Sequence, residues 1–232
     1  MIGFLKHRKP ELVEWMDRHD CDPKLLKNTY QQFSAINYLL SGWSRIYKTR
    51  IRPFCTDKKN TYSLLDIGFG GGDIPLKIAE WAKKDGINID ILGIELDDRA
   101  LEFAQTLEAP ANVQFKKMHS SRLIDEGISF DFVISNHVLH HLQDADVHEL
   151  LKQAEQLARH MVLFNDIERN SVGFSLFKMI APLIFRNSFI AKDGLISIQR
   201  SFTFNELREI IPKKWKLDQM PLFRLVLTLD KS

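Results

Sequence analysis

Cysteine is scarce in this sequence, which has only Cys21 and Cys55 among its 232 residues. The two residues do not form a C-x-x-C pair, so the paired-cysteine motifs of zinc and redox sites are excluded. A chain of this length can bury enough apolar surface to fold without cross-links. We therefore expect both cysteines to be reduced thiols in a cytoplasmic protein.

Long apolar runs are also missing. The most apolar segment, 172–185, is interrupted by Lys178 and Pro182 and is shorter than the roughly 20 residues that a helix needs to span a bilayer. The N-terminal sequence has basic residues but lacks the uninterrupted apolar stretch and small-residue cleavage site of a secretory signal. We expect neither a transmembrane helix nor export.

Charge of one sign is not in excess either. The 32 Lys and Arg residues nearly balance the 30 Asp and Glu residues, which gives a formal net charge of +2. Such a chain produces no strong field that would attract a polyanion. Nucleic acid is therefore not expected as a partner.

The N-terminal quarter has apolar residues at helical spacing. Leu12, Trp15 and Met16 form one such group, and the apolar residues of segment 25–40 form a second, longer group. A spacing of three and four residues is typical of amphipathic helices. We predict that residues 1–59 form two or three helices and act as a cap over the rest of the protein.

The rest of the chain, 60–232, first alternates short apolar runs with longer amphipathic segments. This alternation is typical of a parallel sheet with crossover helices. We predict strands at 63–67, 89–94, 113–117, 130–135 and 161–165. We predict helices at 74–84, 98–107 and 145–159.

The last third contains further helical segments and two closing β-like runs. The predicted helices are an apolar helix at 172–185 and a helix at 205–211, with a short segment of unassigned type at 195–199 between them. The runs 215–219 and 222–229 are joined at Met220-Pro221, which predicts an antiparallel hairpin at the sheet edge. The expected fold is an α/β, doubly wound, seven-stranded and mostly parallel sheet, with a helical insertion at about 171–200.

A glycine-rich turn is the strongest motif. Residues 64–73 read LLDIGFGGGD, a strand end that leads into a turn and then a helix. Glycines let the backbone approach a ligand closely, and the helix start offers free N–H groups. The dinucleotide fingerprint needs a glycine at position 73, where this chain has Asp73. We expect Asp73 to cap the helix and Pro75 to lie in its first turn.

This turn resembles that of the class I S-adenosylmethionine-dependent methyltransferases, in which an acidic residue and G-x-G-x-G cradle the methionine part of the cofactor. The resemblance implies a Rossmann-like fold, with Asp66 at the amino group of S-adenosylmethionine. It also implies that Glu95, which ends the run ILGIEL, binds the ribose, with Leu96 beside it. The glycines implied to line the cofactor are Gly68, Gly70 and Gly72.

Two later landmarks agree with the same family. Segment 113–120 corresponds to a stretch that usually carries an acid near the adenine; here His119 takes that position, followed by Ser120. Either His119 or backbone groups make the adenine contact, or the histidine is merely solvated. Segment 130–142 resembles the fourth strand and loop of small-molecule methyltransferases, which places Asn136 near the methionine. It lacks the N-P-P-Y motif of enzymes that methylate nucleic-acid bases.

The acceptor side resembles bacterial ubiquinone/menaquinone-methyltransferase-like proteins of the kind associated with polyketide pathways, through segments 14–17, 163–170 and 192–197. The expected reaction is methyl transfer to an oxygen, with carbon as second choice, of an aromatic or polyketide-like small molecule. A phenol with a pKa near 10 needs a base. We expect His140, His141 and Asp166 to border the transferred methyl group, and we expect no metal.

Several alternatives stay open at this point. The acceptor could be a prenylated quinone collected at a membrane through an exposed lid, although membrane contact is not expected. A nicotinamide dehydrogenase would share the opening strand and turn. A non-catalytic module would bind S-adenosylmethionine without turnover. The sequence is compatible with a monomer or a homodimer.

Overall fold

The structure, a computed structural model, describes residues 3–231. Seven strands form one sheet in the order β3-β2-β1-β4-β5-β7-β6. All strands run parallel except β7, which is antiparallel to both of its neighbours. The strands are β1 (Thr61–Ile67), β2 (Asn88–Glu95), β3 (Val113–Lys117), β4 (Phe130–Asn136), β5 (Ala158–Ile167), β6 (Lys216–Met220) and β7 (Arg224–Asp230).

The predicted fold class is confirmed, with one refinement at the C-terminal hairpin. The antiparallel strand β7 pairs with β5 from Met161 to Ile167, so the outer strand β6 is the sheet edge. The strand predicted from residue 222 begins only at Arg224. Leu222 and Phe223 have φ values of 64° and 58°, a left-handed backbone that belongs to the turn and cannot continue a strand.

Helices cover both faces of the sheet. They are α1 (Pro23–Leu40), α2 (Trp43–Ile46), α3 (Asp73–Lys84), α4 (Asp98–Ala104), α5 (Ser120–Asp125), α6 (Asp144–Leu157), α7 (Ser171–Ile184), α8 (Ile190–Arg200) and α9 (Phe204–Ile210), with a π-turn at Tyr47–Ile51 and 3₁₀ turns at Gly3–Leu5 and Leu139–His141. The short segment predicted at 195–199 is part of the longer helix α8. Among the described residues, no helix is long and apolar enough to cross a membrane.

Two expectations about helices are wrong. The segment around Leu12, Trp15 and Met16 forms turns, not a helix. Asp73 does not cap α3, because Gly72 occupies the cap position with a left-handed φ of 75° and Asp73 is the first helical residue. Pro75 does lie in the first turn, as predicted.

Alternating side chains of each strand feed two separate cores. Leu65 and Val133 point to the side covered by α6 and α9, whereas Leu64 and Phe132 point to the side covered by α2 and α3. Successive strand residues face opposite sides of a sheet, so a strand buried on both faces has to be apolar at nearly every position. Both cysteines are free thiols in the described chain, as expected.

Helix α1 connects the N-terminal region to the rest of the fold. Asp22 caps its start by accepting hydrogen bonds from the backbone N–H groups of Lys24 and Leu25. Phe33 and Ile36 of α1 then pack against Ala181 and Phe185 at the end of α7 and beyond it. Helices α1 and α7 thereby come together over the carboxyl ends of the parallel strands.

Candidate active site

A cavity of about 810 Å³ lies at the carboxyl ends of the parallel strands, beneath α1 and α7. This is where ligands bind in open α/β sheets. Polar groups from the glycine-rich turn and the end of β2 line one end, including Asp66, Gly68, Gly70 and Glu95. Apolar side chains line the other end; they include Leu40, Phe177, Ile180, Ile184 and Leu222.

The glycine-rich turn connects β1 to α3 along the cavity wall. The N–H of Gly68 donates to the carbonyl of Ile94 at 2.8 Å, which ties the turn to β2. Gly70 has a φ of 53°, and a Cβ at Gly70 would contact only the Phe33 ring, at 3.8 Å. Gly72 lies behind the wall, where a Cβ would come within 2.9 Å of Phe115. Gly70 therefore leaves room for a ligand, whereas Gly72 leaves room for packing.

Asp66 is a buried acid at the polar end of the cavity. Its side chain is almost fully shielded, and Oδ1 accepts no hydrogen bond from residues 3–231. Burial, with additional repulsion from Asp73 and Glu95, raises the pKa of Asp66 well above its ordinary value. A partnerless carboxyl group in this position fits a cationic amino group, which would pair with the charged form of the acid.

Glu95 at the end of β2 holds the turn in place. Its Oε2 accepts the N–H of Gly70 at 3.1 Å, and its Oε1 accepts the N–H of Leu96 at 2.7 Å. Oε1 also accepts the N–H of Asp97 at 3.5 Å, whereas Oε2 can accept a second hydrogen bond. Glu95 is therefore still able to bind ligand hydroxyl groups, and the exposed side chain of Leu96 lies beside it on the cavity wall.

His119 and Ser120 lie on the wall next to Glu95. The ring nitrogen Nδ1 of His119 accepts the N–H of Ser121 at 3.2 Å and so caps α5. The buried hydroxyl of Ser120 donates to the side chain of Gln153. His119 is therefore an exposed capping residue that also faces the cavity.

Asn136, which ends β4, is held by its neighbours rather than free. Its Oδ1 accepts hydrogen bonds from Trp43 Nε1 at 2.9 Å and from Asn165 Nδ2 at 3.1 Å. Asn136 lines the cavity, whereas Asn165 lies behind it. Asn37 of α1 connects this group to the glycine-rich turn, because its Nδ2 donates to Asp73 at 3.0 Å.

A histidine between two carboxylates lies beside the cavity. His140 Nδ1 is 2.6 Å from Asp166 Oδ1, and the His140 N–H donates to Asp166 Oδ2 at 2.9 Å. The other ring nitrogen, Nε2, is 3.3 Å from Glu14 Oε1. Burial lowers the pKa of His140, but the charges and hydrogen bonds of the two acids outweigh it and raise that pKa to about 9.

His141 is more accessible than His140. Its side chain is 31% exposed, with Nδ1 3.3 Å from Asp17 Oδ2 and Nε2 3.8 Å from Glu14 Oε1. Arg200 donates to the backbone carbonyls of both histidines, which fixes the turn that carries them. Both histidines line the cavity, whereas the structure places Asp166 behind His140 and off the cavity wall.

Glu14 is a site residue that sequence reasoning did not propose. It is buried, and its pKa is lowered to about 2 because His141 and His140 outweigh the effect of burial. Ser197 donates to Glu14 Oε1 at 2.8 Å, and the carboxylate of Asp193 accepts the next two backbone N–H groups, at 2.8 and 3.0 Å. Helix α8 therefore holds Glu14 against the histidines. The only signal was the resemblance of segment 14–17.

The sequence is similar to those of known methyltransferases. Residues 64–160 match the family model described as a methyltransferase domain. The ubiquinone/menaquinone biosynthesis C-methyltransferase UbiE of Rickettsia felis is 26% identical over 76% of this chain and 69% of its own length. The ubiquinone biosynthesis O-methyltransferase of Sinorhizobium fredii is 32% identical over 36% of this chain and 32% of its own length.

Solved structures share the fold. The plantazolicin methyltransferase BpumL, in complex with SAH, superposes with a TM-score of 0.61 at 13% identity, covering 90% of this chain and 95% of that one. A SAM-dependent methyltransferase from Aquifex aeolicus gives a TM-score of 0.57 at 12% identity, covering 89% and 97%.

The fold and the matched domain together define a class I methyltransferase. The chain is an S-adenosylmethionine-dependent methyltransferase that resembles the UbiE proteins. This identification replaces the alternative of a nicotinamide dehydrogenase.

Proposed function

We propose that this methyltransferase transfers a methyl group from S-adenosylmethionine to an oxygen of a small aromatic or polyketide-like molecule. The observation that carries the proposal is one cavity that joins Asp66 and Glu95 to the His140–Glu14 pair and to an apolar compartment. The cofactor, when bound, supplies a methyl group on a positively charged sulfur. The protein has to align the acceptor oxygen with it, and alignment contributes about 7 to 11 kcal/mol.

The polar end of the cavity is the proposed cofactor site. Asp66 would accept hydrogen bonds from the amino group, which is supported by its partnerless Oδ1. Glu95 would bind the ribose hydroxyls through Oε2, which keeps a lone pair. Gly72 would act indirectly, by letting the turn pack on Phe115. The other proposed cofactor neighbours are Gly68, Gly70, Leu96, His119, Ser120 and Asn136.

We propose His140 as the general base, with Asp166 as its positioning residue. The hydroxyl proton of the acceptor would pass to the imidazole as the acceptor oxygen takes the methyl group that the cofactor supplies, and the demethylated cofactor would leave. The pKa of His140, about 9, is close to that of a phenol, about 10, so the proton transfer is nearly balanced in energy. His141, which is nearer to solvent, is the second candidate for this role.

The lid over the cavity is proposed to consist of residues 1–59 and the helical insertion at about 171–200, on a methyltransferase domain of residues 60–232. Support comes from Phe33 and Ile36 of α1, which pack against the end of α7 above the site. Covering the site would exclude water from the reacting groups. We place the enzyme in the cytoplasm, in keeping with its two free thiols.

Turnover with a panel of phenols and polyketide-like compounds tests the proposal. We expect at least one phenol to be methylated, and His140→Gln to lower kcat by about 100-fold with little change in cofactor affinity. The matched change His141→Gln should lower it less. If neither substitution slows transfer by more than a few fold, alignment alone drives the reaction and the general base is not His140 or His141.

Transfer to carbon is a second candidate, favoured by the C-methyltransferase names of the UbiE relatives. A quinol ring carbon next to a hydroxyl becomes nucleophilic when that hydroxyl loses its proton, so the same base would serve. NMR of the product separates the two outcomes, because an O-methyl and a ring C-methyl group have different chemical shifts. If the cofactor binds and no acceptor is methylated, the non-catalytic module is favoured instead.

A further inference from the structure

Helix α7 exposes most of one face although that face is apolar. Six of its side chains are at least 43% exposed: Val172, Leu176, Met179, Ile180, Leu183 and Ile184. The opposite face, with Phe174 and Ala181, is buried against the protein. Contiguous apolar surface of this kind is uncommon on a monomeric protein and marks a place where something else binds.

The exposed face surrounds the entrance of the cavity. Leu176, Ile180 and Ile184 line the cavity and are exposed at the same time. Leu39 at the end of α1 and Leu222 in the β6–β7 turn share both properties. We call these two leucines and the six α7 side chains the mouth face. A molecule that enters the apolar end of the cavity passes across it.

Basic side chains outnumber acidic ones around the mouth face. Segment 170–192, which includes α7, contains Lys178, Arg186 and Lys192 and no acidic residue, whereas one acid, Glu168, lines the cavity just before α7 begins. Lys178 and Arg186 are exposed. Apolar side chains flanked by lysine and arginine suit the boundary between acyl chains and anionic headgroups.

A second copy of the chain is a poorer partner for this face. A two-fold contact brings the same patch of both copies together, so Lys178 and Arg186 would face positive charges on the other copy. An anionic bilayer surface offers the opposite charge and an apolar layer for the side chains of α7.

We propose that the mouth face docks on an anionic bilayer surface, with α7 lying in the plane of the interface and the cavity open toward the lipid. The proposal does not depend on the identity of the acceptor. It departs from the expectation that the protein has no membrane contact. The sequence left membrane contact open only for an exposed lid, and the structure leaves six side chains of α7 exposed.

Flotation with lipid vesicles tests the proposal. The intact protein should float with vesicles of phosphatidylcholine and phosphatidylglycerol, bind pure phosphatidylcholine more weakly, and dissociate as salt is added. Leu183→Glu should weaken binding by about tenfold or more, since it removes one buried leucine and adds a repelled charge. Ile128→Glu is the matched control. Ile128 is also exposed, but it precedes the amino end of β4 and so lies at the end of the strands opposite to the cavity.

Three results would overturn the proposal. The first is no flotation with anionic vesicles. The second is equal flotation of the Leu183→Glu and Ile128→Glu variants. The third is a dimer of the intact protein that Leu183→Glu dissociates, without any vesicle binding. Calorimetry of S-adenosylhomocysteine with Leu183→Glu should give unchanged affinity, which separates a failure of this proposal from a failure of the proposed cofactor site.

Discussion

At the scale of single residues, two buried acids of the cavity have pKa values shifted in opposite directions because their partners differ. Asp66 has a raised pKa, since its Oδ1 has no partner among residues 3–231 and nearby acids repel its charge. Glu14 is equally buried, but two histidines lower its pKa to about 2. The first acid is ready for a cation from a ligand, whereas the second already has its cation within the protein.

The state of His140 predicts the pH dependence of methyl transfer. A base with a pKa of about 9 is unprotonated in about one molecule in a hundred at pH 7, so kcat/KM should rise about tenfold per pH unit and level off near pH 9. Glu14→Gln removes one acid that raises this pKa, so the plateau should begin at a lower pH. Rate profiles between pH 6 and about 10 measure both effects.

Asp17→Asn is the control for that experiment. It makes the same acid-to-amide change on the same segment, but Asp17 contacts His141 and not His140. A profile with no inflection near pH 9, or an equal shift in both variants, would contradict the assignment of His140. Glutamine suits the position of Glu14 better than alanine, because it also removes the charge but keeps the size of the side chain and leaves no cavity beside His140.

At the scale of elements, the strands were predictable and the N-terminal segment was not. Strands β1 and β4 are buried on both faces over most of their length, whereas β2 has Asn88 and Asp90 exposed and is buried mainly toward its end. The apolar runs of all three strands stand out in the sequence and predict the bounds to within two residues. Leu12, Trp15 and Met16 have helical spacing, yet the segment is held as turns by Asp193 of α8. Contacts so distant along the chain leave no periodic signal.

The same limit applied to the candidate site. The glycine-rich turn and Glu95 could be predicted because their local pattern is distinctive. The contact of Glu14 with His140 could not, since it depends on how the chain returns over the cavity. The capping role expected for Asp73 failed for a local reason: Gly72 adopts the left-handed backbone that starts α3 one residue earlier.

The glycine-rich turn predicts a selective loss of cofactor binding. Gly70→Ala adds a methyl group that meets only Phe33 at 3.8 Å within the protein, so it should intrude on a bound ligand and lower affinity by about tenfold or more. Gly86→Ala is the matched control, since Gly86 has a similar φ of 65° and no described atom within 4 Å of the added methyl group. Calorimetry and thermal melting measure binding and stability.

Both substitutions place alanine on a left-handed backbone, so both should lower stability by a similar amount, about 1 kcal/mol. Only Gly70→Ala should lose cofactor affinity. Equal affinities in the two variants would mean that Gly70 serves the turn alone.

At the scale of the whole molecule, one cavity connects three parts of the chain. The matched segment 64–160 contributes Asp66, Glu95 and the glycines, the N-terminal region contributes Glu14 and α1, and the chain after β5 contributes α7. This layout indicates where the cofactor and the acceptor would bind. A cofactor held at the strand ends would present its methyl group toward the histidines, and an acceptor would arrive across the mouth face.

Calorimetric titration with S-adenosylhomocysteine, in parallel with NAD, tests the central claim most directly. The account predicts saturable binding of S-adenosylhomocysteine and none of NAD. It also predicts a net release of protons, detected as a dependence of the heat on the buffer, because the amino group of the ligand lowers the raised pKa of Asp66 and any proton held there leaves. Affinity should accordingly increase with pH. Tight binding of NAD with no response to S-adenosylhomocysteine would contradict the account.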